Sequence, residues 1–399
     1  MKKVLFVTYG SGHVKMVLPV AQALAAAGDA VPVVLALTTA APVVRAAGLQ
    51  TLQFKDFVTP ADAPALEHGE RLRQSLGANL VDADETRAYL GLSFADLVEA
   101  SGLEAAHTAY AQFGRQAFLP VRTLERILRQ VQPDLVVATN SPRAERAAIV
   151  AARRLGIAAV CIVDLFAIDE VKWIGAADYA DRVCVLNESV RRFLMQAGRA
   201  AEQVCVTGNP GLDALLDPAV LRAAGALRKL HGWDDRRVVL LPMQTEPEVH
   251  PFDGRPGNPA LPAMLLDRLA RWAQARTDTV LCVRPRAGEA APQLPDDPRI
   301  VVTGQDWKLA ELLHATDLVV TLNSTVGLEG HLAGARLVQV LGSVFDQAMP
   351  LLEYAIADEA VPLFLLEGAL DRQILQPRHP VETHRLATAR VLEELRTFL

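Results

Sequence analysis

Gly10, Ser11, Gly12 and His13 form a glycine-rich turn that ends in a histidine. The turn stands between an apolar run, Val4 to Thr8, and a segment with helical spacing, so its N–H groups and the positive end of a helix face one side. A histidine placed there can take a proton from a hydroxyl, or it can simply stand at a helix start with its ring in solvent. The run Asp317 to Gly342 offers a second such place: a strand ends at Leu322, Asn323-Ser324-Thr325 turns the chain, and a short helix follows. The hydroxyls and N–H groups of Ser324, Thr325, Val326 and Gly327 are expected to converge there on an anion. Gly327 would let a ligand approach the backbone, and Glu329, one turn into the helix, can accept hydrogen bonds from a sugar diol such as ribose. The plainer alternative is an N-cap, with Ser324 or Thr325 satisfying its own helix and Glu329 complementing the dipole. The coincidence of Asn, Ser, Thr, Gly and Glu at one sheet edge favours the ligand site.

Two further loops follow strands of the same half. Arg284-Pro285-Arg286 carries two guanidinium groups that could neutralise a diphosphate. Gln244 and Thr245 could bind phosphate or base, and Glu246, Glu248 and His250 could titrate, although charged loops are commonly just solvated. In the first half, Asn140-Ser141-Pro142-Arg143 follows the strand ending at Thr139. Arg143 with Arg146, Arg153 and Arg154 makes a basic helix, either a solvated face or a contact for an acidic acceptor or lipid phosphates. A dinucleotide is not expected: position 15 is Lys15 where the fingerprint wants glycine, and no acid ends the second strand around residues 36 to 39.

The elements that position these residues alternate between strand and helix. Val14, Val17, Leu18, Ala21 and Leu24 recur at helical spacing, Gly28 ends that helix, and Val31 to Leu37 supplies the next strand. Residues 60 to 120 read as helices beside the sheet. Strands are expected at 134–139, 157–163, 182–186 and 204–207, with a helix at 143–155 and another ending near Gly198. The second half repeats the pattern, with strands at 238–241, 279–283, 299–302, 317–321 and 336–341 and helices at 261–275, 307–314 and 326–333. Six prolines between Pro242 and Pro262 exclude a regular element there. Leu386, Leu392, Leu395 and Leu399 make a stripe on a terminal helix that must be buried on a neighbouring domain.

The 399 residues exceed the roughly 250 to 300 that one core supports, so two α/β domains are expected. Forty basic against 46 acidic side chains, a net charge of −6, exclude a global basic field for nucleic acid or an anionic membrane. Cys161, Cys184, Cys205 and Cys282 lie apart in apolar stretches and read as buried thiols in a reducing compartment. No apolar run approaches the roughly 18 residues of a membrane span. A cytoplasmic protein is expected, with peripheral contact at the inner face of the membrane left open.

With these residues in hand, the chain resembles glycosyltransferases of the two-Rossmann-domain GT-B fold. YGSGHVKMVLPVAQALAAAGDAV, from Tyr9 to Val31, resembles the opening shared by the lipid-linked N-acetylglucosamine transferase of peptidoglycan synthesis and small-molecule glucosyltransferases. RVCVLNESVRRFLMQAGRAAEQVCVTGNPGLDAL, from Arg182, is similar to the interdomain stretch of those transferases and of UDP-N-acetylglucosamine 2-epimerases. NSTVGLEGHLAGARLVQVLG, from Asn323, and LLPMQTEPEV, from Leu240, resemble the donor-binding motifs of bacterial capsule polysaccharide (Kdo) transferases. Residues 3–35, 134–215 and 238–342 fit the superfamily; 50–130 match no named pattern.

The resemblance implies two Rossmann-like domains facing a central cleft: an acceptor domain 1–210, a nucleotide-sugar domain 211–380 and a crossover helix 381–399. It implies a metal-independent transferase without cofactor, taking a UDP- or CMP-sugar as donor and a glycan, lipid-linked or small-molecule acceptor, in cell-surface polysaccharide or glycoconjugate synthesis. His13 would be the base, with Asp84 or Glu85 as alternatives. Gln244, Thr245, Arg284, Asn323, Ser324, Thr325, Val326, Gly327 and Glu329 would hold the donor; Gly10, Ser11, Gly12, Asn140, Ser141 and Arg143 would face the acceptor. The two glutamates eight positions apart of retaining enzymes are missing, since Leu337 follows Glu329 at that distance, which argues for inversion. The capsule enzymes' Lys-Pro-His is Arg284-Pro285-Arg286 here, so no histidine acts from that loop. The epimerases' His-Arg-Arg-Glu-Asn element is absent near residues 240 to 260, which disfavours epimerisation. The alternatives are a nucleotide-sugar 2-epimerase or hydrolase on the same fold, and a non-catalytic nucleotide-binding module.

Overall fold

A computed structural model describes residues 1–76, 82–286, 288–304, 306–384 and 386–399. The chain divides into two compact units, Met1–Gly211 with Arg385–Leu399, and Leu212–His384. Each is an α/β sandwich around one parallel sheet.

The first unit runs β1 (Lys3–Thr8), α1 (Gly12–Ala27), β2 (Val31–Ala36), α2 (Ala40–Ala46), β3 (Gln50–Leu52), α3 (Ala63–Ser75), α4 (Ala83–Ser101), α5 (Leu103–Phe113), α6 (Val121–Val131), β4 (Leu135–Thr139), α7 (Ala144–Arg154), β5 (Ala158–Ile162), α8 (Val171–Ile174), β6 (Arg182–Val185), α9 (Glu188–Gln196) and β7 (Val204–Val206). The second continues with α10 (Pro218–Leu230), β8 (Arg237–Pro242), α11 (Leu261–Gln274), β9 (Thr279–Arg284), β10 (Ile300–Val302), α12 (Leu309–Ala315), β11 (Leu318–Thr321), α13 (Thr325–Leu332), β12 (Arg336–Leu341), β13 (Glu359–Pro362) and α14 (Leu366–Gln373). The last helix, α15 (Ala387–Arg396), belongs to the first unit again.

The sheet orders are β3-β2-β1-β4-β5-β6-β7 and β10-β9-β8-β11-β12-β13. Every pairing within them is parallel. Central strands such as β1 and β4 are apolar on both faces because helices cover both. In each unit the order reverses beside the first strand, between β1 and β4 and between β8 and β11. At such a reversal the loops beyond the two carboxyl ends diverge to opposite faces and leave a crevice, the usual ligand position of open α/β sheets.

Sequence periodicity misses β3 and β13, short edge strands whose polar residues Gln50, Thr51 and Glu359 break the apolar signal. The terminal stripe also differs. Leu386, the residue preceding α15, is 38% exposed, whereas Val391, Leu392 and Leu395 pack into the core beside Val14, Val17 and Leu24 of α1. Each such burial is worth about 1.5–3 kcal/mol, which holds the chain end on the first unit. Among the described residues, no helix is long and apolar enough to cross a membrane.

Candidate functional site

The crevice between β1 and β4 is built from a tight turn and a buried acid. Gly10 has no room for a side chain: a Cβ there would collide with Thr39 Oγ1. Ser11 carries the turn's strain, at φ 61°, ψ −128°, a region glycine prefers. At Gly12 a Cβ would meet open space, so that glycine is not required sterically. The turn delivers His13 to the first turn of α1, where no acidic residue offsets the helix's positive end.

His13 is not a free surface ring. Its Nδ1 lies 2.6 Å from Thr139 Oγ1, at the end of β4. Thr139 donates its hydroxyl proton to Glu145 Oε2 in the first turn of α7. Glu145 also accepts from the Tyr9 N–H (2.6 Å, to Oε1) and the Ser141 N–H (3.2 Å, to Oε2). Thr139 and Glu145 are wholly buried. With Glu145 ionised, the threonine gives it its one proton and must accept from His13, so in the neutral ring Nδ1 carries the proton and Nε2 keeps its lone pair. Burial pushes the Glu145 carboxyl above its usual range, opposed by His13 and by the donors around it.

His13 lines a cavity of about 530 Å3 within the first unit, together with Tyr9, Glu85, Tyr89, Arg115 and Arg143. The Tyr9 and Tyr89 hydroxyls are 2.8 Å apart. Glu85 is buried and each of its oxygens accepts a main-chain N–H, from Phe54 (3.2 Å) and Lys55 (3.0 Å). Desolvation nevertheless raises it to about 7. Of the alternative bases, Glu85 therefore borders the cavity, whereas Asp84 is exposed and paired with Arg87 at 3.4 Å.

The acceptor-side expectations divide. Gly10, Ser11 and Arg143 line the cavity; Gly12, Asn140 and Ser141 do not. Asn140 instead clamps the neighbouring loop, donating to Asp164 Oδ1 (2.9 Å) and accepting from the Asp164 N–H (3.1 Å). The N–H of Ser141 serves Glu145. Nor is the basic helix a single face: Arg153 pairs with Asp181, Arg154 with Glu125 (3.3 Å), and Arg146 stacks on Trp173.

The crevice between β8 and β11 spends most of its polar groups on itself. Gln244 Oε1 accepts from Thr321 Oγ1 (2.8 Å), the Leu322 N–H (3.0 Å) and the Asn323 N–H (3.2 Å), and its amide donates to Asn323 Oδ1. Asn323 donates to Ser343 Oγ (2.6 Å), and Ser343 donates to the buried Glu246 (2.7 Å). Glu246 also accepts from the Val344 N–H (2.7 Å). Three loops, after β8, β11 and β12, are thereby tied together.

This corrects the expected anion site in detail. Ser324 caps α13 by accepting from the Val326 N–H (3.2 Å), and the Gly327 N–H bonds to the Ser324 carbonyl (2.9 Å). Gly327 is buried, with a Cβ position 3.0 Å from Thr321 Cγ2 and 3.3 Å from Leu337 Cδ1, so its glycine serves helix-to-sheet packing rather than ligand approach. Thr325, exposed at the first position of α13, is the member of the turn best placed to donate outward. Arg284 donates to the Trp307 carbonyl (3.2 Å) and is close enough to Glu329 to feel its charge, while burial lowers the guanidinium's pKa. Thr245 accepts from Arg286 (2.8 Å), which also pairs with Glu289 (3.1 Å). Glu248 is exposed, and His250 accepts the Asp253 N–H (3.2 Å) within its own loop. A cavity of about 480 Å3 is lined by Gln244, Thr245, Glu246, Leu266 and Leu294 but includes neither Arg284, Thr325 nor Glu329. Among the described residues, no three His, Cys, Asp or Glu side chains gather as a metal-ligand set.

Known structures share this architecture end to end. A UDP-GlcNAc 2-epimerase from Methanocaldococcus jannaschii aligns with a TM-score of 0.60 at 12% identity, over 99% of this chain and 99% of its own. The UDP-GlcNAc 2-epimerase from Neisseria meningitidis, solved bound to UDP-GlcNAc, gives 0.57 at 11%, over 99% and 100%. CalG4, the calicheamicin glycosyltransferase, gives 0.55 at 16%, over 100% and 98%. The chain has the GT-B fold. No family model and no curated protein matches it in sequence, and at these identities the likeness concerns the GT-B architecture alone.

Within that GT-B frame, sequence reasoning missed Thr139, Glu145, Tyr9 and Tyr89. Glu145 looks like any acid in a first helical turn, and Thr139 like any strand-end residue. One signal was present: Glu145 is the one acid in the stretch from Ser141 to Leu155, four residues after Ser141.

Proposed function

We propose that the protein is an inverting glycosyltransferase that uses a nucleotide sugar, with UDP-sugars first among donors. The observation that carries this reading is the His13–Thr139–Glu145 chain beneath a cavity large enough for a sugar-sized acceptor. An acceptor hydroxyl in the cavity would give its proton to His13 Nε2 while its oxygen bonds to the donor's anomeric carbon. The anomeric C–O bond to phosphate would break, and its electron pair would leave with the nucleotide. The imidazolium so formed would be stabilised through Thr139 by the Glu145 carboxylate, as a positioned base requires. In the second unit, Thr325 and the N-terminal end of α13 are offered to the leaving phosphate, Arg284 to its charge and Glu329 to the ribose. Gln244, Asn323 and Ser324 would act by holding those loops.

A second reading has its own support. GT-B neighbours include UDP-GlcNAc 2-epimerases, and Glu85, titrating at about 7, borders the same cavity as His13. Such a pair could remove and return a proton at a sugar carbon. Incubation with UDP-sugars in deuterated water, with and without acceptors, separates the two. The transferase reading expects a new glycoside only when acceptor is present and no deuterium in recovered donor. Isomerised, deuterated sugar without acceptor would replace it with the epimerase reading. Nucleotide binding without any turnover would leave a binding module.

A further inference from the structure

We infer that the molecule accepted in the first unit's cavity is an anion, a hydroxylated carboxylate or phosphate gripped by Arg143 with Arg115 beside it. The inference rests on reading that cavity as the acceptor site. Arg143 occupies the N-cap of α7, where the helix's positive end disfavours a cation and where its side chain caps nothing. Its guanidinium stacks over the Tyr9 ring, 4.6 Å from the centroid. The Nε group is buried and has no acceptor. No carboxylate pairs with Arg143 among the described residues, and none of the residues outside them is Asp or Glu. By contrast Arg153 and Arg154 of the following helix each have a carboxylate. Arg143 therefore has a buried, unpartnered Nε, stands at a helix's positive end and is met by the Tyr9 ring but by no opposite charge, a state that an incoming anion relieves.

Arg115 lines the same cavity, and both guanidinium groups act on the Tyr89 hydroxyl. The cavity's own carboxyl group, Glu85, forms no ion pair with either arginine; its oxygens accept the Phe54 and Lys55 N–H groups. Glu145 lies beneath His13, outside the lining. An acceptor held by its charge at Arg143 presents a neighbouring hydroxyl toward His13, so the same contact that selects the anion orients the nucleophile. A planar guanidinium fork suits a carboxylate or phosphate better than an ammonium would.

The test is calorimetric titration of the full chain with glucuronate, glucose 6-phosphate and glucose, which share a ring and differ in charge. At least one anion should bind about tenfold tighter than glucose, and whichever does so names the group. The preference should shrink at high salt and fall toward unity in Arg143→Gln, with a smaller loss in Arg115→Gln. Arg143→Lys should lose several-fold affinity for the preferred anion, and it replaces Arg143→Gln if that variant fails to fold. Equal affinities in the unmodified protein, absence of binding by every probe, or a preference untouched by the Arg143 variants would overturn the inference. UDP titrated into the same samples reports the donor reading separately: loss of UDP binding sinks that reading while leaving the charge preference to stand or fall by itself.

Discussion

The two crevices arise from one topology, yet only the first uses its polar groups to hold a histidine at a cavity. Between β1 and β4 the buried Glu145 holds the Tyr9 and Ser141 N–H groups and, through Thr139, a histidine that faces a cavity. Between β8 and β11 the polar groups tie loops to one another: Gln244 accepts from the Thr321 hydroxyl and the Leu322 and Asn323 N–H groups, and Glu246 from the Ser343 hydroxyl and the Val344 N–H, with no titratable side chain presented by them to a cavity as His13 is. A reversal in strand order makes the opening in both units. Whether the opening can move a proton depends on whether an acid lies behind a histidine or an amide lies behind a turn.

The comparison breaks most sharply at the histidine. His13→Ala should lower turnover roughly a hundredfold to ten-thousandfold while UDP affinity stays within error. Glu145→Gln should lower it comparably, because an amide can reverse the bond to Thr139 and leave the ring proton on Nε2. Rapid-mix kinetics beside nucleotide titration checks both, and equal losses in binding and turnover would move His13 to a structural role. Gln244→Ala should do the reverse, stranding three donors and costing about 2–4 kcal/mol of stability, read by denaturant melts. A change confined to kcat would contradict the role assigned to Gln244.

Glu85 supplies a pH test of the first crevice. Its folded pKa of about 7 exceeds the ordinary 4.5, so the folded state holds the proton more tightly than the unfolded one. Its contribution is most favourable below pH 4.5, is lost as pH rises toward 7, and is constant above, a change of at most about 3 kcal/mol. Glu85→Gln should flatten the stability profile between pH 5 and 8. Some slope of the same sign should survive, because burial also raises Glu170 to about 7. An unchanged profile in melts across that range would show that Glu85 is ionised throughout. The smallest effect is expected at Thr325→Val, about a threefold to tenfold loss of UDP affinity, since one exposed donor of the turn is removed.

Legibility in the sequence follows the range of the interactions. The turn Gly10 to His13 and the α13 start at Ser324 are local patterns, and each follows a strand of a parallel sheet, as the alternation of buried strands and helices predicts; that each also stands at a reversal of strand order is seen only in the structure. At the start of α13 the polar residues divide their labour differently from the expected convergence on an anion. Ser324 as cap and Gly327 as packing residue are the plainer alternatives, and they hold because each has a near neighbour that satisfies it. The bond of Asn140 to Asp164 has no local trace, because Asp164 stands on the loop after the next strand.

What the sequence by itself determined was the central strands and helices of both sheets and the two turns that start α1 and α13, because apolar periodicity and glycine placement are properties of neighbouring residues. The tertiary structure alone decided the chemistry of His13. Thr139 lies 126 residues from it, and the Tyr9 N–H reaches Glu145 across 136. Parallel strands brought side by side by crossover helices carry no local trace of which residues will meet at their ends. There burial removes water, and a threonine hydroxyl and a carboxylate become the partners that fix which imidazole nitrogen holds the proton.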